Sequence, residues 1–481
     1  MSGSADAIRS LLGKGSIYTI GTMLRLGGGL LVLPFLTRVM DPVEYGIVAT
    51  AIVVQTIVAV VAAAGLPSAI VRTFFISDNG QARAESLVLA TILCAAAVAL
   101  VAELTGHLWD GIFSDLPYGG PLRIAVWAGV AIAGLYAVQS LLTSQERPKA
   151  FVAVIGVMTL GAQGLGVAFA AVDGTALSYM WGFAAGTGLA LVLGLVLSLR
   201  GREKLELPSR ELLSTAFRIG LPVIPHTLAL YVMAAGDRVV IENLEGLADV
   251  GRFYLAYVVG SVGYFVVAGF NQAWAPVVYA QDESVRWRVL ADTAAIVVSM
   301  AALLGGAIAF AAAPALDLLA PASYDLDALS SVSALVAAIV VPISSYLAAA
   351  HVLFWVGKTA ALAIVTPLCA AANIGLNIVL IPEVGLEGAA IATLVAYSLQ
   401  ALLVGLWSRR LQSVPWDDMR LVVAALGCGA LVALAIVEPS GGAWTVLRLA
   451  ESAALLVAAA ALGRSASARS RSGPAAADAP V

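Results

Sequence analysis

The sequence predicts an all-α polytopic membrane protein of about 14 transmembrane helices, built as two parallel six-helix lobes plus two extra C-terminal helices. Three observations support this prediction: the number of long apolar stretches, the placement of Lys and Arg between them, and a charged connector after the sixth stretch. A helix needs about 20 apolar residues to span the hydrocarbon core of a bilayer. The stretches that meet this length are 16–39, 46–71, 86–106, 123–143, 151–172, 177–199, 213–236, 253–277, 289–314, 330–353, 359–381, 386–408, 420–437 and 443–463.

The positive charges predict the orientation of these spans. With a cytoplasmic N-terminus, 20 of the 26 Lys and Arg residues lie on cytoplasmic segments or helix ends, and 5 lie on the opposite side. The remaining one, Arg25, lies inside the first span. Cytoplasmic loops of membrane proteins carry an excess of Lys and Arg. Both termini are therefore predicted to be cytoplasmic.

The composition excludes several classes of protein. With 61% hydrophobic and 12% charged residues, the chain has too little polar side chain to cover a water-soluble globule. The segment Gly13-Lys-Gly-Ser16 lacks the pattern of a phosphate-binding loop, which excludes ATP hydrolysis by this chain. The polar loops are too short for a catalytic domain, and nothing supports nucleic acid binding. We therefore predict a protein that is not an enzyme.

No metal or cofactor is predicted. The three cysteines, Cys94, Cys369 and Cys428, fall within predicted spans and show no metal-ligand spacing. Such cysteines act as small packing residues.

The connector at 200–212 is the longest charged cytoplasmic linker, and it separates spans one to six from spans seven to twelve. Because each lobe has an even number of spans, any repeat must be parallel, with its axis along the membrane normal. The predicted divisions are an N-lobe at 1–199, the linker at 200–212, a C-lobe at 213–408, spans thirteen and fourteen at 409–463 and a disordered cytoplasmic tail at 464–481.

Weak internal similarity agrees with this division. Leu36-Thr-Arg-Val39 precedes Tyr45-Gly46, and Gly236-Asp-Arg-Val239 precedes Val250-Gly251 after a longer loop. Chance similarity between apolar helices is the competing explanation.

Several short motifs stand out in both predicted lobes. The N-lobe motifs are Tyr18-Thr-Ile-Gly-Thr-Met-Leu-Arg25, Leu33-Pro-Phe-Leu-Thr-Arg38, Asp41-Pro-Val-Glu-Tyr-Gly46 and Gly65-Leu-Pro-Ser-Ala-Ile-Val-Arg72. The C-lobe motifs are Gly220-Leu-Pro-Val-Ile-Pro225, Gly236-Asp-Arg238, Ala372-Asn-Ile-Gly-Leu-Asn377 with Ile381-Pro382, and Gly388-Ala-Ala-Ile-Ala-Thr393. In their order and spacing over roughly the first twelve spans, these motifs resemble those of bacterial polysaccharide-transport flippases of the MOP superfamily.

The resemblance implies two six-helix lobes around a central cavity in the inner, cytoplasmic membrane of a bacterium. It implies alternating-access transport of undecaprenyl-pyrophosphate-linked oligosaccharide to the outer leaflet. The expected partners are this lipid-linked substrate, membrane lipids and a polysaccharide polymerase. The second lobe lacks mid-membrane Lys or Arg, unlike the family's lipid II branch. We therefore expect an exopolysaccharide, capsule or O-antigen type repeat unit.

Arg25 is the first candidate site residue, because it sits about 14 Å into its span, where a charge is costly. We interpret it as a pyrophosphate contact, since guanidinium matches phosphate oxygens in geometry and sign. A structural acidic or carbonyl partner is the alternative. Arg72, at the cytoplasmic end of span two, is the second phosphate candidate, although an arginine there could also extend to lipid headgroups.

Glycine and proline residues mark candidate hinges: Gly27, Gly28, Gly29 and Pro34 in span one, and Pro222 and Pro225 in span seven. Glycine also serves close helix packing, and that reading stays open. His226 could bind substrate or a proton, or satisfy a carbonyl freed by the prolines.

A set of intramembrane polar residues completes the candidates. Gln55, Asn271 and Gln272 are expected to bind sugar hydroxyls if they face the cavity, and interhelical hydrogen bonding is the alternative. Asp237, Arg238, Asn373 and Asn377 are candidate gate or ion-coupling residues, and Asp237 with Arg238 could instead be a structural pair. Further polar residues of the spans are Gln139, Gln163 and Gln400.

Two other transport functions compete with glycan export. An ion-coupled multidrug exporter of the same superfamily would need acidic residues in its cavity, whereas the clearest intramembrane charge is Arg25. A peptidoglycan lipid II flippase is the other alternative.

Overall fold

The computed structural model describes residues 28–77, 79–200 and 207–471. Within these residues, 12 helices are long and apolar enough to cross a membrane, or 13 if one bent pair counts as a single span, and Gly28–Val39 is a shorter apolar helix. These helices match the predicted spans in order and position, which confirms the all-α polytopic fold class. Arg25 and Gly27 lie outside the described residues.

We number the membrane helices α1 to α14 in chain order. Their bounds are α1 Gly28–Val39, α2 Pro42–Ala63 with Leu66–Ile76, α3 Gly80–Leu104, α4 Gly120–Ser144, α5 Pro148–Asp173, α6 Ala176–Ser198, α7 Arg210–Ala235, α8 Leu247–Gly260 with Val262–Tyr279, α9 Glu283–Leu319, α10 Leu326–Val356, α11 Thr359–Val384, α12 Leu386–Leu411, α13 Asp418–Val437 and α14 Ala443–Arg471. The short helix Asp237–Glu245 lies between α7 and α8.

Helix α14 continues to Arg471, past the predicted end of its span at 463. The added residues are Ser, Ala and Arg, which permit a helix, and the helix-breaking pair Gly473-Pro474 comes only afterwards in the sequence. The remainder of the predicted tail, 472–481, lies outside the described residues.

The helices group into two compact units. The first unit runs to Leu255 and includes Leu319–Tyr324 and Leu362–Ala389. The second contains Ala256–Leu318, Asp325–Ala361 and the chain from Ala390 onward. Helix α7 and most of α11 therefore group with α1 to α6. The predicted repeat-based lobes, with a boundary at 200–212, stay a prediction.

In the first unit, α2 to α6 pack around one apolar core to which α7 adds Ala216. Large apolar side chains cover the outside of the helices. Val172 is 85% exposed and Leu426 is 70% exposed. Exposed apolar side chains of this size are expected where lipid replaces water as the solvent.

Helix α2 is broken in its second half. Ala64 and Gly65 both adopt left-handed backbone conformations, with φ of 49° and 66°. A Cβ atom at Gly65 would lie 2.2 Å from the carbonyl oxygen of Gly220 at the end of the first segment of α7. Glycine is required at 65 for both reasons, since it alone tolerates this conformation without cost and leaves room for another backbone.

Helix α7 changes its winding next to this contact. The segment Arg210–Gly220 is α-helical, Leu221–Val223 is a 3₁₀ turn, and Ile224–Ala235 is α-helical again. Pro222 and Pro225 stand in the first positions of their segments, where a missing N–H group costs little.

The other candidate hinges lie in α1. This helix stays regular through Pro34. At Gly28, a Cβ atom would lie 2.2 Å from the Thr159 side chain in α5, so this glycine allows the two helices to pack closely. A hinge at these positions stays a prediction.

We expect Gly220→Val to destabilise the protein, because a Cβ at 220 would lie 2.4 Å from the carbonyl oxygen of Ala64. Overpacking at a close contact costs about 1–3 kcal/mol. The melting temperature of the purified protein in detergent should fall by several degrees. Gly427→Val is the matched control, since no described atom apart from the adjoining residues of α13 itself lies within 4 Å of a Cβ at that position. Equal melting temperatures for the two variants would contradict the proposed role of the contact.

Candidate functional site

A cavity of about 420 Å³ lies in the first unit, beside the break in α2. This volume is within the range of roughly 300–1,000 Å³ that is typical of ligand pockets. The cavity lies between the second half of α2, the end of α4, the start of α5 and the middle of α7. The lining residues are Val60, Ala63, Gly65, Pro67, Ser68, Val71, Tyr136, Gln139, Ser140, Thr143, Phe151, Val223, Ile224, Thr227 and Tyr231.

The two glycine-proline motifs of the sequence build this cavity together. Gly65-Leu-Pro67 follows the break in α2, and Gly220-Leu-Pro222 forms the 3₁₀ turn of α7. The backbones of the two glycines touch. Because each motif interrupts a regular helix at the same place in the first unit, the side chains that follow, Ser68 and Val223, line a gap rather than pack against each other.

The described lining carries no charged side chain. It instead offers hydroxyl groups, the amide of Gln139, the aromatic rings of Tyr136 and Tyr231, and aliphatic carbon. The hydroxyl of Thr143 donates to the carbonyl oxygen of Gln139 at 2.8 Å, and that of Thr227 donates to Val223 at 3.1 Å. Both hydroxyl oxygens keep the capacity to accept a hydrogen bond. Such a lining suits a neutral ligand with many hydroxyl groups.

Gln139 is the most deeply buried polar side chain of the lining, at 7% exposure. Its Nε2 group contacts the sulfur of Met158 at 3.4 Å, and thioether sulfur is only a weak acceptor. Met158 belongs to a π-helical turn at Val157–Gly161, where α5 widens. Turns of this kind are frequent at functional sites.

Arg72 is not part of the lining, but it follows two lining residues, Ser68 and Val71, on the same helix. It is exposed and stands four residues after Ser68, which places both side chains on one face of the second segment of α2. One helical turn, about 6 Å along the axis, separates them. A positive charge therefore stands just beyond the uncharged lining, at the end of α2 that is predicted to be cytoplasmic.

The other predicted substrate residues are not part of the lining. Gln55 is buried on α2, and its Oε1 atom has no hydrogen-bond partner among the described residues. His226 forms a hydrogen bond of 2.9 Å between Nδ1 and the Thr366 hydroxyl, which connects α7 to α11. Asn271 and Gln272 belong to the second unit.

The predicted gate residues are buried at the opposite end of α2, next to an aromatic cluster. Asp237 is fully buried, and the guanidinium carbon of Arg238 lies 4.4 Å from the centre of the Tyr254 ring. Tyr254 stacks on Tyr45 with 5.3 Å between ring centres. A cation over an aromatic face is stabilised by the ring quadrupole, so this arginine helps to hold the cluster together.

A third tyrosine closes this cluster. Tyr324 packs edge-on against Tyr45 and donates a hydrogen bond of 2.9 Å to the carbonyl oxygen of Met40. Burial, together with the nearby Asp41 carboxylate, raises the pKa of Tyr324 above its usual value. Its hydroxyl therefore stays protonated and remains a donor.

The residues that suggested an internal repeat meet directly here. A Cβ atom at Gly46 would lie 1.9 Å from the carbonyl oxygen of Leu247, and one at Gly251 would lie 2.0 Å from that of Pro42. The start of α2 and the start of α8 therefore cross backbone to backbone.

The short helix Asp237–Glu245 also packs against α11, which carries two buried asparagines. A Cβ at Gly236 would lie 2.9 Å from the Ile374 side chain, which places the start of the short helix Asp237–Glu245 against α11. Asn373 and Asn377 are fully buried there. The Asn377 amide donates to the Asn373 carbonyl at 2.9 Å, and its own Oδ1 atom has no hydrogen-bond partner among the described residues.

Comparison with known proteins decides the family. The model of the family described as polysaccharide biosynthesis protein matches residues 11–280, which is more than half of the 481 residues. The chain belongs to this family. No curated protein matches this chain in sequence.

Solved structures share the fold of this chain. The lipid II flippase MurJ in its inward closed conformation has a TM-score of 0.67 at 12% identity, covering 93% of this chain and 98% of that one. An inward-facing multidrug resistance MATE family transporter of the MOP superfamily has a TM-score of 0.54 at 16% identity, over 84% and 95% of the chains. A mutant of the Vibrio cholerae MATE transporter VcmN has 0.57 at 14%, over 85% and 98%. The chain therefore shares the fold of these flippase and transporter structures.

The sequence did not single out the contact made by Glu242 of this family member. Glu242 is 1% exposed, and its carboxylate accepts hydrogen bonds from the backbone amides of Ser114, at 3.1 Å, and Asp115, at 2.7 Å. The neighbouring Asn243 accepts from the Ser114 hydroxyl and donates to the Ile112 carbonyl, both at 2.8 Å. The short helix after α7 is thereby joined to the loop between α3 and α4.

The second unit also contains a cluster of aromatic and polar side chains. Tyr279 and His351 share a hydrogen bond of 3.1 Å, and the Trp274 ring packs edge-on against the imidazole. The guanidinium of Arg286 lies 3.6 Å from the centre of the Trp355 ring. No sequence pattern marks these pairings, because their members are far apart along the chain.

We expect Glu242→Ala to release the loop between α3 and α4, since two backbone amides lose their charged acceptor. The amide protons of Ser114 and Asp115 should exchange with deuterium roughly tenfold faster or more. Glu245→Ala is the control, because Glu245 is exposed on the same helix. Unchanged exchange in the Glu242 variant would show that the carboxylate does not hold the loop.

Proposed function

We propose that the protein is a flippase that moves undecaprenyl-pyrophosphate-linked oligosaccharide across the cytoplasmic membrane by alternating access. One observation carries this proposal: a member of the polysaccharide biosynthesis family has an uncharged cavity in which hydroxyl, amide and aromatic groups stand among aliphatic side chains, and Arg72 follows one helical turn after the lining residue Ser68. The lining matches sugar hydroxyls and the arginine matches a pyrophosphate. We infer that the glycan is an exopolysaccharide, capsule or O-antigen type repeat unit.

In this mechanism, the pyrophosphate is bound at the predicted cytoplasmic side by Arg72 and by Arg25, which lies outside the described residues. The sugars enter the cavity beside α2, α4 and α7. Opening towards the outer leaflet requires the contacts at the other end of α2 to separate. These are the crossing at Gly46 and Gly251, the Arg238 and Tyr254 pair, and the Glu242 contact. Both termini face the cytoplasm, and a polysaccharide polymerase is the expected partner on the outer side.

Multidrug export is the main alternative, because MATE transporters share the fold. A cationic drug needs negative charge in its binding site to offset the loss of its hydration. The described lining of the cavity has no acidic residue, which favours a neutral glycan. The test is a strain from which the gene is deleted. We expect it to lose surface glycan and to keep its efflux of cationic dye. Loss of dye efflux with unchanged surface glycan would replace the proposal with the alternative.

We expect Arg25→Ala to abolish export of the surface polysaccharide, and Arg72→Ala to reduce it several-fold, because each removes a guanidinium that binds the pyrophosphate. Export is measured as surface glycan in the deletion strain carrying each variant, with membrane insertion checked by immunoblot. Arg83→Ala is the control, since Arg83 is another exposed arginine at the same predicted side. Normal surface polysaccharide in the Arg25 variant would rule it out as a required contact.

We also propose that a cation drives the transport cycle and binds among Asp237, Asn373 and Asn377. The support is burial: three oxygen-bearing side chains of the first unit, one of them a carboxylate, are fully buried on elements that pack together. Intramembrane carboxylates commonly mark ion pathways in transporters.

We expect Asp237→Asn to remove the dependence of transport on an ion gradient, because the variant keeps the size of the side chain and loses its charge. The measurement is flipping of a lipid-linked glycan in proteoliposomes under imposed sodium or proton gradients. Asp249→Asn is the control, since Asp249 pairs with Arg252 at 3.0 Å outside this set. A wild-type protein that ignores both gradients would contradict the coupling proposal.

A further inference from the structure

We infer that the cavity of the first unit accepts only a glycan whose first sugar, the one bonded to the pyrophosphate, is uncharged, and that Gln139 binds this sugar. The inference rests on the proposed function and adds the substrate selectivity of the same site.

The positive charge of Arg72 lies outside the uncharged lining of the cavity. Arg72 stands one turn beyond Ser68, so a pyrophosphate at this guanidinium lies at the edge of the cavity. The sugar bonded to that pyrophosphate is then the first part of the substrate to meet the lining. The described lining around it is uncharged.

A charged sugar would lose free energy of hydration on entering this cavity. A uronic acid carboxylate or an amino-sugar ammonium would exchange water for hydroxyl, amide and aromatic groups without a counter-charge in the described lining. Burying an unpaired charge is far more costly than burying a hydroxyl that finds a hydrogen-bond partner. The lining therefore discriminates against a charged sugar by leaving its charge unpaired, which is a common way to achieve specificity.

The buried amide of Gln139 offers hydrogen bonds to a neutral sugar. Its side chain is 93% buried, it lines the cavity, and its amide nitrogen meets only the thioether of Met158 within the described contacts. A neutral sugar supplies hydroxyl oxygens that accept a far stronger hydrogen bond than sulfur does. The sugar also supplies hydroxyl donors for the amide oxygen. Binding a neutral sugar therefore improves the hydrogen bonding of a buried amide, whereas an empty or apolar-filled cavity leaves it poorly satisfied.

The rings of Tyr136 and Tyr231 complete the site. Both line the cavity, from α4 and α7 respectively. Aromatic faces pack well against the C–H faces of neutral sugars and provide a large contact area with little conformational entropy to lose. These rings bind the body of the sugar, while Gln139, Ser140 and Thr143 of α4 are placed to contact its hydroxyl groups.

The test measures binding of three lipid probes to the purified full-length protein in nanodiscs. The probes are undecaprenyl pyrophosphate, its glucose conjugate and its glucuronate conjugate. We expect the glucuronate probe to bind at least tenfold more weakly than the glucose probe. We expect Gln139→Met to weaken binding of the glucose probe roughly fivefold or more, and to leave binding of undecaprenyl pyrophosphate unchanged. Gln163→Met is the matched control, because Gln163 is an amide of α5 that is not among the described lining residues.

A second variant keeps the inference testable if Gln139→Met fails to fold. Gln139→Lys adds a positive charge to the cavity and should reverse the preference in favour of the glucuronate probe. Equal binding of the glucose and glucuronate probes by the native protein would overturn the selectivity inference and leave the flippase proposal standing. Unchanged affinity of Gln139→Met for the glucose probe would overturn the role of Gln139. If none of the three probes binds while the protein transports a cationic dye, the proposed function itself fails.

Discussion

The backbone contact between Gly65 and Gly220 is the constraint on which the cavity of the first unit depends. In a bilayer, backbone groups must find hydrogen bonds within the protein, so irregular backbone survives only where protein or a polar cavity surrounds it. Here the left-handed pair Ala64 and Gly65 and the 3₁₀ turn Leu221–Val223 interrupt neighbouring helices at one place. A side chain at either glycine would push the helices apart. The absence of two Cβ atoms therefore permits the close approach of α2 and α7 beside the cavity.

The spans were predictable because the thickness of the bilayer sets their length and its hydrocarbon core requires apolar side chains. The break in α2 was not predicted, although the motif Gly65-Leu-Pro67 marked its position. The orientation of polar side chains was beyond prediction for a physical reason. Transmembrane helices are apolar on nearly all sides, so periodicity does not distinguish the face of Gln139, which lines the cavity, from that of Gln55, which does not. The sequence shows that an amide is present in a span, but the packing of the helices determines which surface that amide faces.

At the end of α2 opposite the cavity, sequence alone was likewise insufficient to predict the contacts between side chains. The sequence directed attention to Asp237 and Arg238 because charges near a span are unusual. It gave no reason to choose Glu242, whose partners Ser114 and Asp115 stand well over a hundred residues earlier in the chain. The similarity of Tyr45-Gly46 to Val250-Gly251 was weak as a sequence pattern. The structure gives the similarity a physical reason: the two glycines lie at one helix crossing, where only small residues fit.

Helix α9, with 37 residues, is about 56 Å long at 1.5 Å per residue, whereas the hydrocarbon core of a bilayer is about 30 Å thick. Even if α9 is steeply tilted, several of its turns lie outside the hydrocarbon core. The surplus includes its charged first turns, with Glu283 and Arg288 exposed. The apolar part of the helix, predicted at 289–314, is about 39 Å long by the same measure and still exceeds the hydrocarbon core. A hydrophobic stretch of this length is accommodated by tilt or by local thickening of the bilayer, so the thickness of the membrane, which its lipid composition sets, acts on the tilt of α9.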